Sequence, residues 1–318
     1  MSLKIDGISL RNPFVLAPMA GVNCASHRLL CKQYGASLVY TQMYHCEFIL
    51  YKLQKEGKKA VYDFINIQEL ERPVAIQIVG NSPEKMAEAA KAVEEIADIV
   101  DINFGCCDEG MLKAMCGGYL TKENVLAGEI VKKVVKTINK PVTAKIRIGW
   151  DSQNINGVET SMLLEKCGIK ALAVHGRTVK QKYGGKANWQ IIKQIKNKLS
   201  IPVIGNGDIK NTQKAMKILN ETGCDLAMIG RRTKGDPAFF MRCLRKLEGI
   251  NPEVPPAREI FKEFMTNYEK LDKNKSFTEL KAHAMWYGKR AGIGPKKREM
   301  IAKSKNPKDI YEIFLEHH

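Results

Sequence analysis

The sequence predicts an α/β protein: a (β/α)8 TIM barrel followed by a small C-terminal helical-bundle domain. Three observations carry this prediction. Eight short apolar runs alternate with helical patterns through residues 1–250, which matches a barrel in number and in size. Polar and glycine residues collect at the ends of many of these runs, where barrel enzymes build their active sites. After residue 250 the strand-like runs stop and helical periodicity continues alone.

The predicted strands are nearly continuous in hydrophobicity, which is typical of strands covered on both faces. In chain order they are Phe14–Met19, Leu38–Met43, Val74–Gly80, Ile99–Gly105, Val142–Trp150, Ala171–Arg177, Pro202–Asp208 and Leu226–Arg232. Helices predicted between them include Pro83–Ala97 with Ser82 as N-cap, Trp189–Leu199 and Asn211–Leu219. An open doubly wound sheet is the alternative, but no GxGxxG motif follows the first strand.

A linker is predicted at residues 251–256, because three prolines in five positions cannot continue a helix. We therefore expect a barrel domain in residues 1–250 and a helical domain in residues 251–318. The helices predicted in the second domain are Glu259–Leu271, Phe277–Arg290 and one helix from Lys296 to about Leu315. Between Lys281 and Lys308 nine residues are basic, and Glu299 alone is acidic.

The net charge is +17, from 51 Lys and Arg against 34 Asp and Glu. A surplus of this size indicates an anionic partner or a solubility device, and composition does not separate the two. With 44% hydrophobic and 27% charged residues, the composition excludes a disordered chain, a collagen-like fibre and a small disulfide scaffold. We expect neither a membrane span nor a secretory signal, and a cytoplasmic location.

Nine cysteines without paired CxxC motifs argue against a zinc ribbon and indicate reduced thiols, so we expect no metal site. Most of them are expected to be small buried hydrophobes. Cys106 directly follows the fourth strand and has Cys107 as its neighbour. From the residues alone, Cys106 is a nucleophile, a general acid or an inert thiol. A thiol of ordinary pKa is protonated at neutral pH and can donate a proton.

The ends of the last two strands predict a phosphate site. They read GNGD (205–208) and IGRR (229–232). Glycine lets backbone N–H groups approach an anion, and arginine adds a charge-assisted hydrogen bond. Two tight turns between strand and helix are the alternative explanation.

Basic residues also lie on the fifth strand and in the segment that begins at the end of the sixth. Lys145 and Arg147 are expected to point to opposite sides of their strand. A lysine inside the barrel mouth needs an anionic partner, such as a reduced flavin, whereas snorkelling to solvent explains this residue taken alone. His175 is most simply a structural histidine. The segment 175–189, HGRTVKQKYGGKANW, interleaves cations with aromatics, which suits a nucleic-acid strand and equally a solvated basic loop.

Taken together, these segments resemble the tRNA-dihydrouridine synthases. The matching segments are VLAPMAGV (15–22), AIQIVG (75–80), DINFGC (101–106), VTAKIRIGW (142–150), AVHGRTVKQKYGGKANW (173–189), PVIGNGDI (202–209), AMIGRR (227–232) and KAHAMWYGK (281–289). They span nearly the whole chain in the expected order. Other flavin barrels, such as dihydroorotate dehydrogenases, share the phosphate loops but not the HGRT run.

The resemblance implies FMN-dependent reduction of specific uridines in tRNA to 5,6-dihydrouridine, with NADPH or NADH as electron donor. Hydride passes from the reduced flavin to C6, and Cys106, which matches the family's catalytic cysteine, gives a proton to C5. The barrel is then the FMN-binding catalytic domain, the helical domain binds tRNA, and the protein acts as a monomer. The uridine must leave its stack, because both faces of its ring have to be reached.

The resemblance also assigns binding residues. Those expected to hold FMN are Pro18, Met19, Ala20, Gln77, Lys145, His175, Asn206, Gly207, Asp208, Gly230 and Arg231. Those expected to bind RNA, on the resemblance and on the basic segments together, are Arg177, Lys180, Lys182, Lys281, Lys289, Arg290, Lys296, Lys297 and Arg298.

Four places depart from the family pattern. Cys107 replaces a proline, Gln42 a glutamate, Asn23-Cys24 a threonine-aspartate pair and His27 a phenylalanine. None of them removes a flavin-binding or proton-transferring group.

Two other functions stay open. One is an FMN barrel that reduces a free small molecule, of dihydroorotate dehydrogenase or enoate reductase type. The basic helical domain argues against it. The other is a flavin-containing RNA-binding sensor with Cys106-Cys107 as a thiol switch, against which stands the strained backbone of a vicinal disulfide.

Overall fold

Eight parallel strands form a closed barrel in the computed structural model, which describes residues 3–251, 253–272 and 276–315. The strands are β1 (Phe14–Leu16), β2 (Val39–His45), β3 (Val74–Val79), β4 (Ile99–Phe104), β5 (Val142–Arg147), β6 (Ala171–His175), β7 (Val203–Asn206) and β8 (Leu226–Ile229). β8 pairs with β1, and a parallel bridge between Val15 and Leu38 closes the circle beside β2. The predicted TIM barrel is confirmed.

Helices cover the outside of the barrel. They are α1 (Ala25–Gln33), α2 (Cys46–Glu56), α3 (Lys58–Ile65), α4 (Pro83–Val93), α5 (Glu109–Lys113), α6 (Asn124–Thr137), α7 (Gly157–Lys166), α8 (Trp189–Lys198), α9 (Thr212–Thr222) and α10 (Phe239–Leu247). α4 begins as predicted, since Ser82 Oγ accepts a hydrogen bond from the Lys85 N–H at 3.3 Å. Short 3-10 helices lie at Glu69–Glu71, Gly117–Thr121 and Arg231–Thr233.

A small hairpin of Lys4–Ile5 and Ile8–Ser9 precedes the barrel. Ile5 and Leu10 share an apolar cluster with residues of the barrel interior, including Ile99 and Leu226. Because those two residues lie at the starts of β4 and β8, the hairpin closes the amino-terminal end of the barrel. The opposite end remains open for a site.

The C-terminal helices are α11 (Ala257–Leu271), α12 (Phe277–Arg290), α13 (Pro295–Lys303) and α14 (Pro307–Leu315). The prediction of one helix from Lys296 to about Leu315 is wrong, because the chain leaves the helix at Ser304 and starts again at Pro307. Proline suits a first helical position because it lacks the N–H that would be unpaired there. Residues 253–256 have no regular secondary structure, and Pro252 of the predicted linker lies outside the described residues. In the part of the chain that the structure describes, no helix is long and apolar enough to cross a membrane.

These helices pack directly against the barrel helix α1. Leu30 and Tyr34 of α1 share an apolar cluster with Phe264 of α11 and Tyr287 of α12. The predicted division of the chain at residue 250 stays a prediction, but the two parts meet in a single packed interface.

A carboxylate from the C-terminal part also caps α1. The N-cap residue of α1, Cys24, makes no capping hydrogen bond with its side chain. Instead the buried Asp272, at the end of α11, accepts from the N–H groups of Ala25 at 2.9 Å and Ser26 at 3.3 Å, and from the Ser26 hydroxyl. Since the first N–H groups of a helix lack partners within the helix, Asp272 satisfies donors that would otherwise be buried and unpaired.

A buried ion pair fixes α1 to the segment before β3. Arg28 donates to Glu71 through Nε at 2.7 Å and through an Nη at 2.9 Å, and both side chains are at most 1% exposed. The remaining donors of Arg28 reach the carbonyl oxygens of Asn23 at 2.8 Å and Asn66 at 2.6 Å. The charge is therefore fully compensated.

Substituting Glu71→Gln is expected to lower the free energy of unfolding by about 3 kcal/mol, because it leaves the Arg28 charge buried without its counter-charge. Urea denaturation followed by circular dichroism measures this loss. The matched control is Glu56→Gln in the exposed Lys52–Glu56 pair, for which the expected loss is below about 0.5 kcal/mol. Equal losses in the two variants would contradict a stabilising role for the buried Arg28–Glu71 pair.

Candidate active site

A cavity of about 1190 Å³ opens at the carboxyl ends of the barrel strands. It is lined by Cys106 and by every residue for which the sequence predicts FMN binding: Pro18, Met19, Ala20, Gln77, Lys145, His175, Asn206, Gly207, Asp208, Gly230 and Arg231. The fold thus brings together residues that are up to about 210 positions apart in the chain. Their binding roles stay predictions.

A row of hydrogen bonds crosses the barrel beneath this cavity. Thr143 Oγ1 donates to Asp101 at 2.6 Å, Gln77 Nε2 donates to the other Asp101 oxygen at 2.6 Å, and Asn103 Nδ2 donates to Gln77 Oε1 at 2.8 Å. Strand register places Gln77, Asp101 and Thr143 side by side on β3, β4 and β5. Burial raises the pKa of Asp101 to about 6. The row fixes the Gln77 amide and leaves one of its amide hydrogens for a ligand.

Asn103 also holds the loop that carries Cys106. Its Oδ1 accepts from the backbone N–H groups of Gly105 at 3.0 Å and Cys106 at 2.8 Å. On the far side, the Gly118 N–H donates to the Cys106 carbonyl at 2.8 Å. This close approach requires glycine, since a Cβ at position 118 would lie 2.5 Å from that carbonyl oxygen. The backbone of Cys106 is therefore fixed from two directions.

The thiol of Cys106 is suited to donate a proton. Cys106 is half-buried, whereas the other eight cysteines are buried. Burial raises the pKa of its thiol above the ordinary value, although the Asp108 backbone N–H acts in the opposite direction. The thiol is therefore protonated at neutral pH. Because a nucleophilic cysteine must be a thiolate, this environment favours the general-acid interpretation over the nucleophile.

Lys145 and Arg147 both line the cavity, so the prediction that they point to opposite sides is wrong. Residues two apart on a strand share a face. Arg147 donates to the carbonyl oxygens of Gly105 at 2.8 Å, Thr178 at 2.9 Å and Lys182 at 2.7 Å. It thereby ties the loop after β4 to the loop after β6.

Cys107, which stands where the family has proline, takes part in this arrangement. Its sulfur accepts from an Arg147 Nη at 3.4 Å. A second departure, Gln42, is accommodated in a similar way, because its carbonyl oxygen accepts from the Gly21 N–H at 3.2 Å, as a carboxylate oxygen would. Cys24 and His27 lie outside the cavity, beside His283 of α12: the Cys24 sulfur is 3.8 Å from His283 Nε2, and the two histidine rings are 5.3 Å apart.

Lys145 lies within electrostatic range of the Asp101 carboxylate. It makes no hydrogen bond or ion pair with any of the residues that the structure describes. Burial, together with the nearby Arg147, lowers the pKa of Lys145 to about 8, so the side chain is still mostly protonated at pH 7. A half-buried ammonium group without a hydrogen-bond partner, beside an open cavity, is suited to an anionic ligand.

His175 is neutral in this surrounding. Burial and the charges of Lys145 and Arg147 hold its pKa well below the ordinary value. Its Nε2 lies 3.3 Å from an Nη of Arg177. The neutral His175 therefore accepts a hydrogen bond from Arg177 through Nε2, and its side chain lines the cavity.

The ends of β7 and β8, where the sequence predicts a phosphate site, lie together on one side of the cavity. Gly207 has φ +128°, and a Cβ there would lie 2.8 Å from the Ala187 Cβ, so the close turn requires glycine. Asn206 Nδ2 donates to the Met228 carbonyl at 2.8 Å and joins the two strand ends. Arg231 begins the 3-10 helix after β8, and its guanidinium group lies 4.6 Å from the ring centre of Tyr183. Glycine backbone and an exposed guanidinium group thus meet on one side of the cavity.

That Arg177 binds RNA stays a prediction: the residue lines the cavity, but most of its donors are already used within the protein. Its side chain is only 2% exposed and donates to both oxygens of Asp208, at 2.7 and 2.9 Å, and to the carbonyl oxygens of Gly184 and Gly185. Asp208 also accepts from the Ala187 N–H at 2.9 Å. Arg177 therefore holds the loop of residues 176–188, and Asp208 has only its backbone left for a phosphate.

The other predicted RNA-binding residues occupy three places. Lys182 and Arg290 line the cavity, and Lys180 lies on the same loop as Lys182, 5.3 Å from the ring centre of Trp150. Five lie on α12 and α13, away from the cavity lining: Lys281, Lys289, Lys296, Lys297 and Arg298. Within this set Lys281 donates to the Ala302 carbonyl at 3.1 Å and Arg298 to the Ile293 carbonyl at 2.7 Å, whereas Lys289 and Lys296 are exposed.

Sequence reasoning missed three kinds of residue at this site. Asn103 was not assigned a role, although an asparagine two residues before a glycine is a signal for a side chain that binds the following backbone. Lys210 and Lys234 also line the cavity, just beyond the predicted phosphate motifs. Arg147 was noted, but its bonds to two loops follow from the tertiary structure alone.

The raised pKa of Cys106 predicts a specific pH profile of alkylation. At pH 7 we expect slow labelling of Cys106 by iodoacetamide, with a rate that rises about tenfold per pH unit up to pH 9, because only the thiolate reacts. Mass spectrometry of labelled peptides measures the rate, and Cys106→Ala identifies the peptide. A rate that levels off below pH 8 would show a thiol of low pKa instead.

Known proteins resemble the chain along almost its whole length. A family model described as dihydrouridine synthase (Dus) matches residues 15–316. The chain is 41% identical over 257 residues to tRNA-dihydrouridine synthase B of Vibrio cholerae, covering 80% of this chain and 78% of the relative. It is 37% identical over 291 residues to tRNA-dihydrouridine synthase B of Shewanella oneidensis, covering 90% and 89%.

Solved structures show the same fold at much lower identity. An old yellow enzyme homologue from Zymomonas mobilis has a TM-score of 0.55 at 13% identity, covering 83% of this chain and 97% of its own. Morphinone reductase in complex with tetrahydroNAD has a TM-score of 0.53 at 14% identity, with coverages of 83% and 93%. The likeness to these two proteins concerns the barrel. With its cavity, its half-buried Cys106 and a family match over residues 15–316, the chain is an oxidoreductase that belongs to the dihydrouridine synthase family.

Proposed function

We propose that this protein reduces specific uridines in tRNA to 5,6-dihydrouridine, with FMN as its cofactor and NADPH or NADH as electron donor. One observation carries the proposal beyond the family assignment. A protonated thiol at Cys106, an ammonium group at Lys145 that makes no hydrogen bond or ion pair with any described residue, and the glycine-containing turn of residues 206–208 line a single cavity. The names of the two relatives state the same activity.

The residues present fit FMN. The Lys145 ammonium group makes no hydrogen bond or ion pair with the described residues and would face the anionic edge of the isoalloxazine ring. Gln77 offers its remaining amide hydrogen, and Pro18, Met19 and Ala20 give the cavity an apolar wall. The backbone at Gly207, with Arg231, would hold the phosphate. When bound, FMN supplies the hydride that adds to C6 of the uracil.

Cys106 completes the reduction by giving its Sγ proton to C5 of the uracil, and solvent returns a proton to the sulfur. The raised pKa keeps the thiol loaded at neutral pH, and Asn103 and Gly118 hold its backbone in place. Since hydride and proton arrive from opposite faces of the ring, the uridine must be flipped out of its stack.

The RNA around that uridine would be held by the basic surfaces beside the cavity. The loop of residues 176–188 presents Lys180 and Lys182, and the C-terminal helices present Lys289, Arg290 and Lys296. Lysine and arginine neutralise backbone phosphates without reading the base sequence. In this proposal the barrel performs the chemistry and residues 251–318 form the tRNA-binding domain.

Replacing Cys106 by alanine is expected to reduce dihydrouridine formation at least about 100-fold, the usual contribution of a general acid. Binding of FMN and tRNA is expected to be unchanged. Mass spectrometry of digested tRNA measures the product, visible absorbance the flavin, and filter binding the tRNA affinity.

The control is Cys107→Ala, which removes the neighbouring thiol and is expected to retain most of the activity. Unchanged multiple-turnover activity of Cys106→Ala would contradict the proton-donor role. Wild-type reduction of free uridine or of an enoate, but of no tRNA, would favour the small-molecule alternative.

Substituting Lys289→Gln together with Lys296→Gln is expected to lower the slope of log K against log [salt] for tRNA binding by about 1.5, because two phosphate contacts are lost. The control carries Lys132→Gln and Lys136→Gln, two exposed residues on α6 at the outside of the barrel. An unchanged slope in the first variant would show that these helices lie outside the RNA footprint.

A further inference from the structure

A second cavity, of about 290 Å³, lies where the barrel meets the C-terminal helices. Arg232 and Asp236 follow β8, Arg242 comes from α10, and Arg290 ends α12. Gly235, Pro255 and two apolar residues at the start of α11, Ala257 and Ile260, complete the lining.

Positive charge exceeds negative charge in this cavity. Asp236 is the one acidic residue among its described lining residues, and Arg232 and Arg242 each donate to one of its carboxylate oxygens. Arg290 approaches the same carboxylate only to 3.8 Å, and it makes no hydrogen bond with any described residue. Its guanidinium donors are therefore available in a cavity that already holds more cations than anions.

Electrostatics at Arg290 agree with this geometry. Burial and repulsion from Arg232 lower the pKa of Arg290 from its ordinary value, although Asp236 acts in the opposite direction. The charged guanidinium group is thus disfavoured by its surroundings in the ligand-free protein. An anion placed between the arginines would reverse this, because opposite charges at short range stabilise each other strongly where water is partly excluded.

The start of α11 borders the same cavity through Ala257 and Ile260. This helix of 15 residues has Pro256 at its N-cap position, and no side chain there accepts from its first N–H groups. Its single first-turn acid, Glu259, pairs with Lys262 at 2.9 Å. The positive end of the helix dipole favours an anion at that position.

We propose that the second cavity binds a phosphate group, held by Arg232, Arg242 and Arg290. Arg232 and Arg290 also line the large cavity, so a phosphate bound here lies next to the mouth of the active site. The phosphate belongs either to the backbone of the RNA substrate or to the dinucleotide that supplies electrons. This assignment of the source rests on the proposed function, whereas the phosphate site itself does not.

The test compares Arg242→Gln, and Arg242→Gln combined with Arg290→Gln, with the control Arg245→Gln. Arg245 lies on the same helix as Arg242, outside both cavities, and pairs with Glu248 at 3.2 Å. All proteins are first saturated with FMN, so that the cofactor site is filled. Flavin absorbance and the melting temperature without added anion establish that each variant is folded. If Arg242→Gln is unstable, Arg290→Gln alone serves, since that side chain is 40% exposed.

The first arm uses inorganic pyrophosphate as the probe. We expect a concentration-dependent rise in the melting temperature of the wild type and of Arg245→Gln, because a ligand that binds the folded state stabilises it. In the double variant this rise should be absent. If pyrophosphate does not raise the melting temperature of the wild type, or raises it equally in all the proteins, the phosphate site is overturned. This outcome does not depend on whether the protein modifies tRNA.

The second arm separates the two sources of phosphate. An RNA source predicts that the double variant binds tRNA about tenfold more weakly with a salt slope smaller by about 1, while reduction of the flavin by NADPH keeps its concentration dependence. A dinucleotide source predicts that the double variant binds tRNA as the wild type does, while reduction of its flavin needs a higher concentration of NADPH. Unchanged behaviour in both measurements overturns the proposal for the natural ligands, even if pyrophosphate binds. Loss of tRNA binding by the wild type would instead contradict the proposed function.

Discussion

The geometry of the candidate active site depends on the hydrogen bonds of one side chain, that of Asn103. Its amide nitrogen donates into the buried row of Gln77, Asp101 and Thr143, while its oxygen receives two N–H groups from the loop of Cys106. One residue therefore couples the rigid barrel interior to the position of the thiol. If this side chain were shortened, the half-buried N–H groups of Gly105 and Cys106 would lose their acceptor, which destabilises this conformation of the loop.

The basic residues of the chain are of two kinds: buried arginines that bind groups within the protein, and exposed lysines and arginines that an anionic partner can reach. Three buried arginines donate hydrogen bonds to carboxylates and carbonyl oxygens within the protein: Arg28, Arg147 and Arg177. They shape the loops around the cavity and add nothing to its outer surface. The charge that an anionic partner meets comes from other lysines and arginines on both parts of the chain, since residues 251–318 hold 14 Lys and Arg against 10 Asp and Glu.

Sequence patterns predicted the eight strands because parallel strands buried on both faces are continuously apolar. Seven of the eight predicted strands extend past the observed carboxyl end, as at Phe14–Met19, where β1 stops at Leu16. The exception is β2, which continues to His45, two residues beyond the predicted Met43. The cavity lining was predictable, since carboxyl ends of barrel strands converge. The burial of Arg177 was not, because its partners follow from how the loop of residues 176–188 folds back.

The cap that Asp272 places on α1 has a consequence for how the chain matures during translation. Ala25 and Asp272 are 247 positions apart, so the first helix of the barrel leaves the ribosome long before its capping group is synthesised. Until then the apolar face of α1, with Leu30 and Tyr34, has no partner from the C-terminal helices. The packing of α1 can therefore be completed only after the C-terminal helices have been synthesised. A chain that ends before these helices would expose an apolar surface and would be prone to aggregation.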